Sequence, residues 1–206
     1  MAKKDKKEKK KSQKEINKEN LLQGISIMNN HPLFSGCMPR IYTVSKVDLG
    51  AGTMCIVYSD GTIRANEEYY LTPKQWSYVL AHNILHLAFG HFDSEKMPGY
   101  TITSENGTQK KIIECDTHLW NMACDIYISK FLADIKFGQG IHDDPMHIIS
   151  GNPGDELKIY QYLIDQNITA NRNHYGTAAI YYDSELQGLE FHQSTGRGFI
   201  PAGLIQ

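Results

Sequence analysis

No run of about 18 consecutive apolar residues occurs in the chain, so the sequence offers no segment able to span a membrane as a helix. The lysine-rich N-terminus lacks the apolar stretch of a secretion signal, and a cytoplasmic location is the expectation. Cysteine is sparse. Cys37, Cys55, Cys115 and Cys124 are scattered without a C-x-x-C pair, which argues against a disulfide scaffold and against a four-cysteine zinc knuckle. They read as reduced, mostly core residues. No serine or cysteine stands in a recognisable nucleophile motif. Gly196-Arg197-Gly198 lacks the pattern of a phosphate cradle, so nucleotide binding has no support.

What is present is enough for a packed core: 206 residues, 41% of them hydrophobic. The net charge of -2 hides an asymmetry, because Met1 to Glu19 holds nine lysines against Asp5, Glu8, Glu15 and Glu19. The remaining 12 basic and 19 acidic residues leave a body of about -7. The stretch 1–19 is read as a disordered, solvating tail and 20–206 as the folded domain. The tail has no aromatic residue to stack on a base, and nucleic-acid binding is not expected.

Along the chain, apolar residues from Ile16 to Met28 are loosely helical and end at Asn29-Asn30-His31-Pro32. Arg40 to Val47, Thr53 to Tyr58 and Thr62 to Ala65 are rich in β-branched and aromatic residues, with a turn at Ser59-Asp60-Gly61, and predict a small antiparallel sheet with a hairpin. Thr72 as N-cap, Pro73 at the first helical position and Gln75 three residues after the cap form a capping box. They predict a helix from Pro73 to about Phe89, buried on most sides and stopped by Gly90. Next come a polar excursion with a short hairpin through Tyr100 to Thr103 and Lys110 to Ile113, and a second buried helix from about Asp116 to Ala133. A loop then precedes a short amphipathic helix over Asp155 to Ile164. The fold class is α+β.

Within the first buried helix, His82 and His86 lie four residues apart and so share one face, able to present two imidazoles to one point as a zinc ion requires. Two imidazoles in an apolar segment need polar partners, since burying them bare costs several kcal/mol. His91 follows five residues after His86. Gly90 between them can end the helix and let His91 swing back, although metzincin spacing places its third histidine six residues after the second.

The second helix offers a competing ligand. His118, Asn121 and Asp125 form a polar stripe at i, i+3, i+7 spacing on a helix that also carries Trp120, Met122, Ile126 and Phe131. The stripe is either a solvent-facing edge or a buried network supporting a metal. Asp125 is the preferred third ligand, because a carboxylate from a second helix completes many two-histidine zinc sites. His118 or Asn121 could orient a ligand. His142 to His147 is read as a solvated loop rather than a second cluster, and His31, His174 and His192 have no companion at ligand spacing.

Asn66 to Thr72, Val79 to His91, Leu119 to Asp125 and Asp155 to Tyr160 together resemble a family. It is the metallopeptidase-like domain that precedes a von Willebrand factor A-like domain in a family of bacterial proteins. The resemblance implies a zincin-like fold, a bound zinc and metal-site candidates His82, His86, His91 and Asp125. It also implies a glutamate directly after the first histidine, where this chain has Asn83. Such a glutamate takes a proton from zinc-bound water and returns it to the leaving amine; an asparagine amide cannot. Near Gly198 to Leu204 the family continues through more helix into its second domain, so the C-terminal part reads as short relative to it, by nature or by truncation.

Two functions follow as expectations. One is a zinc-dependent hydrolase of peptide bonds with a substitute base, for which Glu67, Glu68, Glu95 and His118 are candidates. The other is a catalytically silent zinc-binding module that holds a peptide or partner protein. Family context adds a chaperone-like ATPase as a partner.

Overall fold

The computed structural model describes residues 11–37, 39–44, 54–58, 60–93, 96, 98, 101–103, 110–112, 116–141, 149, 151 and 154–168, with backbone alone for 101–103, 110–112, 117 and 118. Residues 1–10, Glu95, the His118 side chain, the His142 to His147 cluster and the stretch from Asn171 lie outside the described residues.

The first helix, α1 (Gln13–Asn29), starts within the stretch expected to be tail. A capping box explains why. The Ser12 backbone N–H donates to Glu15 Oε2 at 2.7 Å and the Glu15 N–H donates to Ser12 Oγ at 3.3 Å, which satisfies two otherwise orphaned groups. Lys14 and Lys18 then reach Glu67 at 3.4 and 3.7 Å. Both lysine side chains stay more than half exposed while they face this carboxylate.

Strands β1 (Arg40–Val44), β2 (Cys55–Val57) and β3 (Thr62–Asn66) form a sheet in the order β1-β3-β2. The expected hairpin is β2 with β3, antiparallel, closed where the Gly61 N–H donates to Tyr58 O at 2.9 Å and Gly61 adopts φ +84°. The sheet is mixed, not wholly antiparallel: β1 runs parallel to β3, Arg40 facing Thr62 and Val44 facing Asn66. The chain reverses once between β1 and β2 and once in the hairpin, so a strand taking the far edge of β3 must run alongside it.

Helix α2 (Pro73–Ala88) has the expected cap. The Thr72 N–H donates to Gln75 Oε1 at 2.9 Å and the Gln75 N–H donates to Thr72 Oγ1 at 3.3 Å. Every residue from Trp76 to His86 is buried. A two-stranded hairpin follows, β4 (Thr101–Thr103) antiparallel to β5 (Lys110–Ile112). Helix α3 (Thr117–Asp134) is opened by Asp116, whose Oδ1 accepts the Leu119 N–H at 3.1 Å. Helix α4 (Glu156–Asp165) is opened by Asp155 in the same way, through the Lys158 N–H at 3.0 Å.

Packing sets these elements in place. Gly24 of α1 lies against Trp76 and the Pro73 carbonyl of α2, so close that any side chain at position 24 would collide. Asn17 Nδ2 donates to Glu68 O at 2.8 Å and Asn20 Nδ2 to Leu71 O at 2.9 Å, tying α1 to the segment that leads into α2. One core joins Leu21 and Met28, Val57, Ile63 and Ala65, Trp76, Val79 and Leu80, and Ile128 and Leu132. A second joins Trp120, Ala123 and Ile126 of α3 to Ile159 and Leu163 of α4. Helix α3 therefore contributes to both cores. Emptying the Trp76 site with alanine would cost about 3–5 kcal/mol.

Candidate metal centre

The centre forms where α2 meets α3. His82 Nε2 and His86 Nε2 each lie 3.0 Å from the same atom, Asp125 Oδ1. All three side chains are buried, at 0%, 0% and 1% exposure. About one turn of regular helix separates the imidazoles and sets them on one face, and Asp125 on α3 brings the carboxylate to them. Among the described residues this is the one group of three or more His, Cys, Asp or Glu side chains with converging ligand atoms, all within 4.8 Å of one another.

His91 stands on the other side of His86. Its position is set by the end of α2, a Schellman motif in which the Gly90 N–H donates to Leu87 O at 3.1 Å and the His91 N–H donates to His86 O at 3.0 Å. Gly90 supplies the left-handed residue, φ +69°. The turn-back foreseen from the glycine therefore takes place, and it delivers His91 to the far nitrogen of His86. His91 Nδ1 is 2.9 Å from His86 Nδ1, and His91 Nε2 is 3.0 Å from Glu156 Oε1. Trp120 meets the His91 ring edge-on, with centroids 6.4 Å apart.

The line Asp125, His86, His91, Glu156 contains three polar contacts. Two neutral imidazoles supply two N–H protons, so one contact lacks a donor. Burial pushes the His86 imidazole well below its usual value of 6.5, outweighing its hydrogen bond to Asp125, and pushes His91 down as well, outweighing Glu156. Both are therefore neutral near pH 7, and an extra proton is disfavoured. Burial alone would raise the Asp125 carboxyl, but the His82 and His86 imidazoles, each 3.0 Å from it, outweigh burial and hold it below 3.8. In Glu156 the His91 contact likewise outweighs burial and holds the carboxyl below 4.5. Two ionised carboxylates flank two neutral imidazoles with one proton too few.

A cation at the Asp125 end resolves this shortage. Donor type fits as well: imidazole nitrogens and a carboxylate oxygen suit a divalent transition metal. The 3.0 Å separations are near the edge of about 3.3 Å that bonds of about 2.0–2.1 Å give in a tetrahedral site. His82 Nδ1 and Asp125 Oδ2 are buried with no hydrogen-bond partner among the described residues, as are Asn121 Oδ1 and Ser129 Oγ on the stripe of Asp125. Asn121 and Asp125 of the stripe are buried and do not form a solvent edge.

Asn83 is fully buried, and its Nδ2 donates to Val79 O at 2.8 Å, one turn back on its own helix. Glu67 faces Lys14 and Lys18 of α1, and Glu68 faces Lys14 at 3.9 Å. Nothing local in the sequence marks Glu156 as part of the site. Its acidic position in the first turn of a capped helix marks a helix start, not a contact 65 residues away.

A helix-borne histidine pair completed by an aspartate from a neighbouring helix, in an α+β fold, defines a candidate metal-binding domain. Residues 5–143 match the family described as "Putative metallopeptidase domain", and the chain belongs to that family. No curated protein and no solved structure matches the sequence.

Proposed function

We propose that this chain is a zinc-binding, zincin-like metallopeptidase-related domain whose peptidase activity is weak or absent, because Asn83 occupies the general-base position. The observation that carries the reading is the convergence of His82, His86 and Asp125 on one point with Asn83 directly beside the first histidine. Two imidazoles and one carboxylate form the ligand class of zinc hydrolases, in which the fourth position is left to water or substrate. When bound, zinc supplies Lewis-acid polarisation of a carbonyl and acidifies water.

The chain's own residues then hold and orient, and Asn83 does not move the proton. The Asn83 amide has no basic lone pair of useful strength and donates to the Val79 carbonyl. Among the substitute bases considered, Glu67 and Glu68 are engaged by lysines of α1. The same observation favours a second reading, a silent module that holds a peptide or a partner protein at the metal centre. A chaperone-like ATPase is the partner class that the resemblance suggests, and a neighbouring A-type domain belongs to the same proposal. None of the described helices is long and apolar enough to cross a membrane; a cytoplasmic location is a separate part of the proposal.

The test is peptide hydrolysis by the zinc-loaded chain and by Asn83→Glu. The natural chain should cleave at or near background, with the variant faster by about a hundred- to ten-thousand-fold, the usual worth of a general base. Equal cleavage by the two overturns the proposed role of Asn83. Cleavage by neither supports the silent module.

A further inference from the structure

We infer that His91 and Glu156 are positioning residues that fix the tautomer of His86, so that helix α4 sets the metal affinity of a centre built on α2 and α3. The inference rests on the reading that His82, His86 and Asp125 hold a metal ion. It begins from donor chemistry. A carboxylate only accepts, so Glu156 Oε1, 3.0 Å from His91 Nε2, places a proton on that nitrogen. A neutral His91 then offers a lone pair at Nδ1, 2.9 Å from His86 Nδ1, which must carry the other proton. His86 is left with its lone pair at Nε2, the nitrogen that faces Asp125 Oδ1. Each step has one polarity, and the polarity runs from Glu156 to the metal position.

The two histidines of the centre differ in this respect. His86 is oriented by a chain that ends on an anion, whereas His82 Nδ1 has no hydrogen-bond partner among the described residues. Partners of this kind orient a metal-bound imidazole and raise its basicity. Both members are held by structure that would be superfluous to a surface histidine. Gly90 and the Schellman turn place His91 at 3% exposure, and Asp155 caps the helix whose first residue is Glu156. The Asp116 N–H donates to the Tyr160 hydroxyl at 2.9 Å, which ties α4 to the start of α3. Glu156 lies beyond residues 5–143, so the family segment alone does not contain the end of the chain of contacts.

The experiment uses the whole chain and Zn²⁺ alone as probe. Zinc affinity is measured by competition against a chromophoric chelator for the natural protein, Glu156→Ala and His91→Phe, with circular dichroism to confirm that each is folded. Both variants should bind about 10–100-fold more weakly. Imidazole ¹⁵N–¹H correlations of the zinc-loaded natural protein give a second readout that needs no variant: His86 should be protonated at Nδ1 and His91 at Nε2 alone. Affinity unchanged in folded variants, or His91 protonated at Nδ1, overturns the positioning role while leaving the metal site intact. If the natural protein binds no Zn²⁺, the metal reading itself fails, and this inference with it.

Discussion

His82 Nε2 and Asp125 Oδ1, 43 positions apart in sequence, meet at 3.0 Å in a space with almost no exposure to solvent. Removing the carboxylate leaves two buried imidazoles without their shared partner, and leaving a neutral buried polar group unsatisfied costs about 1–3 kcal/mol. Asp125→Ala should therefore lower the melting temperature of the metal-free protein by about 2–12 degrees, and should abolish stoichiometric metal binding. Thermal denaturation in the presence of a chelator checks the first part. An unchanged melting temperature would mean that Asp125 is not engaged as described.

The same burial makes stability depend on pH. His86 and His91 are both held below 6.5, chiefly by burial, so below that pH the unfolded chain takes up protons that the folded chain refuses. Stability is full above about 6.5 and falls as pH drops. The slope approaches about 1.4 kcal/mol per pH unit for each histidine until its lowered folded value is reached. Asp125 and Glu156 add a loss of the same sign at lower pH, because their folded values are also depressed and their contribution disappears below about 4. Urea midpoints of the chelated protein should be clearly lower at pH 5.5 than at pH 7.5. A flat or rising midpoint contradicts neutral, buried histidines.

Gly90 ends α2 in the left-handed region and directs His91 back to His86. Gly90→Ala should cost about 1–2 kcal/mol, mostly strain, because the nearest atom to the added methyl is the movable Lys96 ammonium. It should also weaken zinc binding by displacing His91. Gly36→Ala, at a position with open space and no left-handed φ, is the control and should be near neutral. Equal effects from the two substitutions would remove the role assigned to the turn.

Gly24→Ala tests how α1 is seated. The added carbon would collide with Trp76 and crowd the Pro73 carbonyl, and rigid backbone on both helices leaves little room to yield. A loss of about 1–3 kcal/mol is expected, read as a lower urea midpoint together with faster protease cleavage within α1. A protein as stable as the parent would show that the two helices can move apart freely.

Local signals carried the sequence reading well where the physics is local. Thr72, Pro73 and Gln75 start α2 as their chemistry requires, and Gly90 stops it. The polar stripe through Asn121 and Asp125 faces inward, a face that periodicity located but whose direction it left open. Non-local pairing was less legible. The parallel register of β1 on β3 depends on which free edge a strand finds, and nothing within Arg40–Val44 encodes that. The contact of Glu156 with His91 spans 65 residues and has no local signature. The start of α1 is a different case: Ser12 and Glu15 form a readable capping box, but the density of lysines around them suggested a solvated tail.

The metal centre is the claim on which the rest depends, and elemental analysis tests it most directly. Protein purified without chelators, and in parallel the His82→Ala, His86→Ala and Asp125→Ala variants, should be measured for transition metals by plasma mass spectrometry. The account predicts close to one zinc per natural chain and far less in each variant. A natural protein that carries no metal and takes up none from added Zn²⁺ would contradict it.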